Sequence, residues 1–189
     1  SFAQSILKGT HRQMMVVKCL MPVNTMRRLM VAVPPKAEFE AGFYKWVERL
    51  ARIGGQLGCR VHFWAHPDTI LRINGYLKKF HGNVRVEFSP MDDWDDLLLM
   101  SSKVAYDHLV VIVSARKGAI SYQSSFEELP TQITKYFSNC SLMLIYPDQL
   151  GDPLENLTFS SPRGQSENPI YDHVSKWVYK WMKKGEEQG

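Results

Sequence analysis

Apolar residues fall along this chain in short, often β-branched runs that alternate with longer stretches of helical period. Arg28 to Val33 (RLMVAV) is stopped by Pro34-Pro35 and predicts a buried strand. Phe43, Trp46, Val47, Leu50, Ile53 and Leu57 then recur at intervals of three and four, which predicts an amphipathic helix that frays near Gly54-Gly55 and stops at Gly58. Arg60 to Ala65 (RVHFWA) reads as a second strand. Ile70, Leu71, Ile73, Leu77 and Phe80 form the next helical stripe, closed by Gly82, and Val84 to Phe88 (VRVEF) alternates as a third strand. Asp92, Asp93, Asp95 and Asp96 crowd the start of a helix expected to reach about Tyr106, because carboxylates suit the positive end of a helix. His108 to Val113 (HLVVIV) is a fourth strand. Leu129 to Phe137 is a helix with Pro130 tolerated in its first turn, and Ser141 to Tyr146 (SLMLIY) is a fifth strand, ended by Pro147.

Strands alternating with helices imply a parallel sheet, because each crossover must be long enough to return to the same edge. The expected fold is α/β, a doubly wound parallel five-stranded sheet. In such sheets ligands bind beyond the carboxyl ends of the strands, where the strand order switches direction. The loops at that edge are Pro34 to Phe39 and Ser114 to Ser125. The leading segment stands apart: Ile6 to Gln13 reads as a helix end and Met14 to Leu20 as a strand, and together they echo Ile133 to Tyr146, with Lys8 falling on Lys135. They read as the end of a preceding, truncated copy of the same domain; an N-terminal strand unrelated to any repeat is the alternative. The expected organisation is therefore 1–22 as the end of a preceding repeat, 23–150 as the α/β domain, and 151–189 as a linker and C-terminal helix.

Composition narrows the class without changing the fold. The 189 residues suffice for one domain with a sizeable core, and 44% hydrophobic with 22% charged residues is an ordinary globular balance. A net charge of +4, with bases and acids interleaved, falls short of the basic stripe that nucleic acid requires. Cys19, Cys59 and Cys140 are odd in number and lack ligand spacing, so neither a disulfide framework nor a zinc site is signalled and a reducing compartment is expected. No apolar run has the length of a membrane span.

Candidate chemistry is sparse. His62, His66, His81, His108 and His173 form no ligand pair on a helix with a carboxylate, and no nucleophile elbow or zinc-protease motif occurs, so no catalytic residue, metal or cofactor is expected. The aspartates near residue 92 are accounted for by a helix start, with a cation site as the alternative. Ser114, Ala115, Arg116, Lys117, Gly118 and Ser121 place cations, hydroxyls and a glycine on one loop at the ligand edge, either as a reduced anion site or as solvated charges and turn hydrogen bonds. After Gly151 the composition shifts to Pro, Ser, Asn and Gly. From Asn168 or Pro169 a helix is expected with Ile170, Val174, Trp177, Val178 and Trp181 on one face and Lys176, Lys180, Lys183 and Lys184 elsewhere, either docked on protein or lying on an anionic membrane through residues 168–184.

The order of elements, with a long glycine-bearing loop after the fourth strand, resembles the universal stress protein family. More closely, NTMRRLMVAVPPKAEFEAGF, DDWDD, VSARKGAISY and LMLIYPDQ look like the cytosolic tail of bacterial sodium or cation/proton antiporters, in which tandem stress-protein-like domains follow the membrane domain. The resemblance covers most of residues 1–151. It implies a regulatory or interaction domain without catalytic activity, a homodimer, the antiporter's own transmembrane domain as partner, and a place on the cytoplasmic side of the bacterial inner membrane as the soluble tail of a membrane protein. Fifth strands in this family commonly pair edge to edge, which implies that Met14 to Leu20 lies antiparallel beside Leu142 to Tyr146.

Nucleotide-binding members carry glycine, two residues, glycine, nine residues, then glycine followed by serine or threonine. Glycines bring backbone N–H groups close to phosphate, and the hydroxyl sits at a helix N-terminus. Here those positions fall on Ala115, Gly118, Glu128 and Leu129, so a single glycine is kept, and Pro34 stands where the family's adenine-contacting aspartate would be. The resemblance therefore implies a degenerate phosphate loop and no cofactor. The alternative is an adenine-nucleotide switch that binds ATP or AMP.

Overall fold

A six-stranded sheet is the frame of the structure, a computed structural model that describes residues 10–150, all of one unit. In chain order the strands are β1 (Met14–Lys18), β2 (Arg28–Ala32), β3 (Arg60–Ala65), β4 (Val86–Pro90), β5 (His108–Val113) and β6 (Ser141–Tyr146). The helices are α1 (Phe43–Leu57), α2 (Pro67–Phe80), α3 (Leu97–Ser101) and α4 (Leu129–Tyr136). The spatial order is β1-β6-β5-β2-β3-β4, with the five strands from β6 to β4 parallel and β1 antiparallel to β6. The α/β class and parallel sheet expected from the alternating runs are observed. The edge pairing is also observed, Met14 facing Tyr146 and Lys18 facing Leu142.

Alternation along the strands divides the core in two. Leu29, Val31, Val61, Phe63, Leu109 and Val111 point to one face, where Phe43, Trp46, Val47 and Leu50 of α1 and Ile73 and Leu77 of α2 cover them. Met30, Ala32, Trp64, Val110 and Ile112 point to the other, against Trp94, Leu97 and Met100 around α3 and Phe126 and Leu129 at α4. Fully burying a large apolar side chain is worth about 2 kcal/mol, so residues such as Trp46, Phe63 and Trp94 at 1% exposure or less carry much of the stability.

Several boundaries differ from expectation for local reasons. The helix expected from Asp92 to Tyr106 is a 3-10 turn (Trp94–Asp96) and the short α3. Ser101 and Ser102 turn their hydroxyls back onto the Leu98 and Leu99 carbonyls, a competition that shortens helices. Nor does α1 fray at Gly54-Gly55. It runs to Leu57 and ends on left-handed Gly58, which returns its N–H to the carbonyls of Gly54 and Gly55. Gly54 is needed for packing, since a Cβ there would stand 2.5 Å from Val61 Cγ2. The third strand of the sequence starts at Val86 instead of Val84, and Thr10–Gln13 is not helical. The rest of the expected leading helix, residues 1–9, and the expected linker and helix of 151–189 lie outside the described residues.

Strand β1 is fastened along its length. Gln149 donates its backbone N–H to the His11 carbonyl at 2.9 Å and its side chain meets His11 Nδ1 at 2.8 Å. At the far end Leu20 N–H donates to Ser141 Oγ at 3.0 Å, and Lys18 Nζ reaches the Ser138 carbonyl. Among the described residues no helix is long and apolar enough to cross a membrane.

Candidate functional site

The direction of strand succession reverses between β2 and β5, so the crevice for a ligand lies beyond Val33 and Val113. Both lips of that crevice were legible as loops. Pro34-Pro35 ends β2, Lys36 takes the left-handed conformation at φ 67°, and a turn over Ala37–Phe39 leads to Glu40 and α1. On the other lip Ser114 N–H donates to the Ile145 carbonyl at 2.8 Å, holding the start of the loop to β6. Gly118 adopts φ 90°, which a side-chain-bearing residue rarely does.

The loop's donors turn inward. Ser121 is 1% exposed, and both its backbone N–H and its hydroxyl donate to Glu40 Oε1, at 2.9 and 2.7 Å. A carboxylate from the β2 side thus bridges the switch-point crevice and takes the hydrogen bonds that a bound anion would take. Arg116 donates to the Arg12 carbonyl at 3.1 Å, so it fastens the segment before β1. Lys117 forms a 2.9 Å ion pair with Glu127, and the hydrogen bond between them, with their opposite charges, favours both ionised forms, raising the lysine and lowering the carboxyl. That pair is solvent-exposed and adds little stability. Ser114 and Ala115 are buried at the floor of a cavity of about 610 Å³, walled on its apolar side by Leu142, Leu144 and Ile133.

The six residues expected on this loop are therefore adjacent in space without converging on one ligand point. Two hold β1 or the loop flank, two form the floor, Gly118 makes the turn, and Ser121 is committed to Glu40. Sequence reasoning missed Glu40, whose partner lies 81 residues away.

Just past β6, Asp148 is held by a second internal pair. Lys45 Nζ stands 2.7 Å from Asp148 Oδ2, and the Leu150 N–H donates to Oδ1 at 2.9 Å. Burial pushes the Asp148 carboxyl up, but these two hydrogen bonds and the Lys45 charge outweigh it and hold the group below its usual range. Gly42, at the start of α1, packs so closely on this residue that a Cβ would lie 2.5 Å from the Asp148 carbonyl oxygen.

The histidines do not assemble into a catalytic set. His81 binds Glu48 in a clasp between α1 and α2, while His62 and His108 point to the other face of the sheet, away from α1 and α2. Among the described residues no group of three or more His, Cys, Asp or Glu side chains is placed to hold a metal. Asp93 and Asp96 instead form a reciprocal capping box, as a helix start requires. Comparison of the chain with family models, with curated proteins and with solved structures gave no match.

Proposed function

We propose that this chain is a non-catalytic regulatory or interaction domain belonging to a bacterial sodium or cation/proton antiporter, carried as a soluble tail on the cytoplasmic side of the inner membrane. The observation that carries the reading is β1. A strand preceding the α/β domain lies antiparallel along the outer edge of β6, where the end of a preceding stress-protein-like repeat would fall. The Glu40 bridge supports the absence of nucleotide chemistry, because it commits both donors of Ser121 and places a fixed negative charge beside the degenerate phosphate loop. In this reading the partner is the transmembrane domain of the same polypeptide. A homodimer would use a surface other than the edge of β6, which β1 already covers.

The test is the genomic reading frame upstream of Ser1. About a dozen apolar segments of roughly 20 residues are expected there. A frame that opens immediately upstream would overturn the reading. The runner-up, a nucleotide-responsive switch, retains one favouring feature in Gly118 at the head of the crevice. Calorimetric titration with ATP, ADP and AMP separates the two: binding tighter than millimolar supports the switch, and its absence supports the non-nucleotide domain.

A further inference from the structure

The opposite edge of the sheet, at the amino ends of its strands, carries a cluster of basic side chains. Three adjacent strands, β5, β2 and β3, each begin with a basic residue, and these fall in lateral register: His108 beside Arg28, and Arg28 beside Arg60. Arg85 lies one residue before β4, which extends the row to the fourth strand. The alternation of the strands sends Arg28, Arg60 and His108 to the same face as Met30, Trp64 and Val110, the face covered by α3 and α4. A cavity of about 760 Å³ lies along this edge, lined by Arg27, Arg28, Arg60, Arg85, Asp107 and His108 among others.

Cations at the amino ends of parallel strands have an ordinary explanation, since helix C-termini with their negative dipoles lie there. Arg85 fits it, donating to the Gly58 carbonyl at the end of α1. Arg28 and Arg60 do not. They are like-charged lateral neighbours, an arrangement that destabilises a sheet unless a counter-ion lies between them. Glu87 supplies one: Arg28 reaches Oε2 at 2.9 Å and Arg60 reaches Oε1 at 2.5 Å. One carboxylate thus serves two guanidinium groups, each taking one oxygen. Counting Asp107, which pairs loosely with Arg27 at 3.7 Å, two carboxylates face four arginines.

We propose that this edge is an anion site for a phosphate-class group, either a free phosphate compound or a lipid headgroup, with Arg28 and Arg60 as its paired ligands, Arg27 and Arg85 as flanking cations and Glu87 as the internal counter-ion. Two guanidinium forks side by side match the several oxygens of a phosphate better than a single carboxylate does. The excess positive charge favours an anion carrying more than one charge. The site lies across the sheet from the Glu40-bridged crevice and stands independently of any link to a transporter.

Inorganic pyrophosphate is the probe. Calorimetric titration of the 189-residue chain in magnesium-free, low-salt buffer is expected to show one-to-one binding. The affinity should weaken about tenfold in Arg60→Gln, rise in Glu87→Gln, and stay unchanged in Arg72→Gln at the far edge. Succinate should bind more weakly than pyrophosphate. Sedimentation with phosphatidylglycerol vesicles against phosphatidylcholine vesicles distinguishes the sources: Arg60-dependent binding to the anionic vesicles assigns a headgroup, and Arg60-dependent binding to pyrophosphate alone assigns a free phosphate. Thermal melting checks that each variant folds. Should Arg60→Gln fail to fold, Glu87→Gln decides, and an affinity that is unchanged or weaker in that variant overturns the site. Absence of binding to both probes, binding that survives intact in Arg60→Gln, or succinate binding as tightly as pyrophosphate also overturns it.

Discussion

A single carboxylate oxygen decides what the switch-point crevice can do. Glu40 Oε1 accepts two hydrogen bonds from Ser121, whose side chain is buried. Removing the hydroxyl in Ser121→Ala leaves the backbone N–H as the remaining donor to that oxygen and is expected to cost about 1 kcal/mol, read as a fall in the urea midpoint at constant slope. Gly42 is under a harder constraint. The atoms that a Cβ would strike at 2.5 and 2.6 Å are the backbone oxygen and nitrogen of Asp148, which cannot rotate away. Gly42→Ala is expected to cost about 2 kcal/mol or more in the same assay, and an unchanged midpoint would show that the Asp148 loop yields freely. Neither role is visible in sequence. Gly118 could be recognised there as a turn glycine because its neighbours form a loop, whereas Glu40 and Gly42 act on residues 81 and 106 positions away.

At the scale of elements, the strands were legible because burial on both faces leaves short apolar runs, and α1 was legible because one face of it is buried. What escaped were features set by neighbours. The shortness of α3 depends on two serine hydroxyls bonding back to its carbonyls, and the basic row needs strand register before Arg28, Arg60 and His108 can be seen as adjacent. The opening basic residue of RVHFWA, of HLVVIV and of the run from Arg28 was nevertheless a signal in plain sight. Strand β1 was legible in its apolar run, its pairing with β6 was anticipated through resemblance, and its structural role is to protect β6. An uncovered β6 would present a bare ladder edge, a ready template for another chain. Val16→Pro, in the middle of β1, removes a backbone donor and bends the strand, so β1 should detach. The expected outcome is concentration-dependent self-association through β6, measured by light scattering coupled to gel filtration. A variant that stays at its original mass over the same concentrations would show that β1 is not the guard of that edge.

Over the whole molecule, the perturbed histidines and carboxylates all bias stability in one direction with pH. Burial pushes the His62 imidazole below its ordinary 6.5, and although Glu87 pulls it up, the charges of Arg28, Lys103 and His108 add to the depression. His108 is likewise lowered by burial and by Arg28, against the pull of Asp107. The Glu48 carboxyl, although burial raises it, is brought from 4.5 to about 2 by hydrogen bonds from Tyr76, His81 and Arg52. For each group the folded pKa lies below the unfolded one, so the unfolded chain takes up its proton first as pH falls. The histidine contribution is therefore intact above 6.5 and is lost as pH falls through the lowered folded values. The Glu48 contribution is intact above 4.5 and is lost toward about pH 2. Because the carboxylate keeps 24% exposure and water screens it, the expected loss is about 1–2 kcal/mol. Urea midpoints measured from neutral to acid pH should therefore fall in two windows. His62→Gln should flatten the first, and Glu48→Gln should flatten the second after lowering the neutral-pH midpoint. General charge repulsion in acid, on a chain already at +4, would lower every variant alike. Parallel curves for the wild type and Glu48→Gln below pH 4.5 would therefore assign the acid sensitivity to net charge instead of to the clasp between α1 and α2.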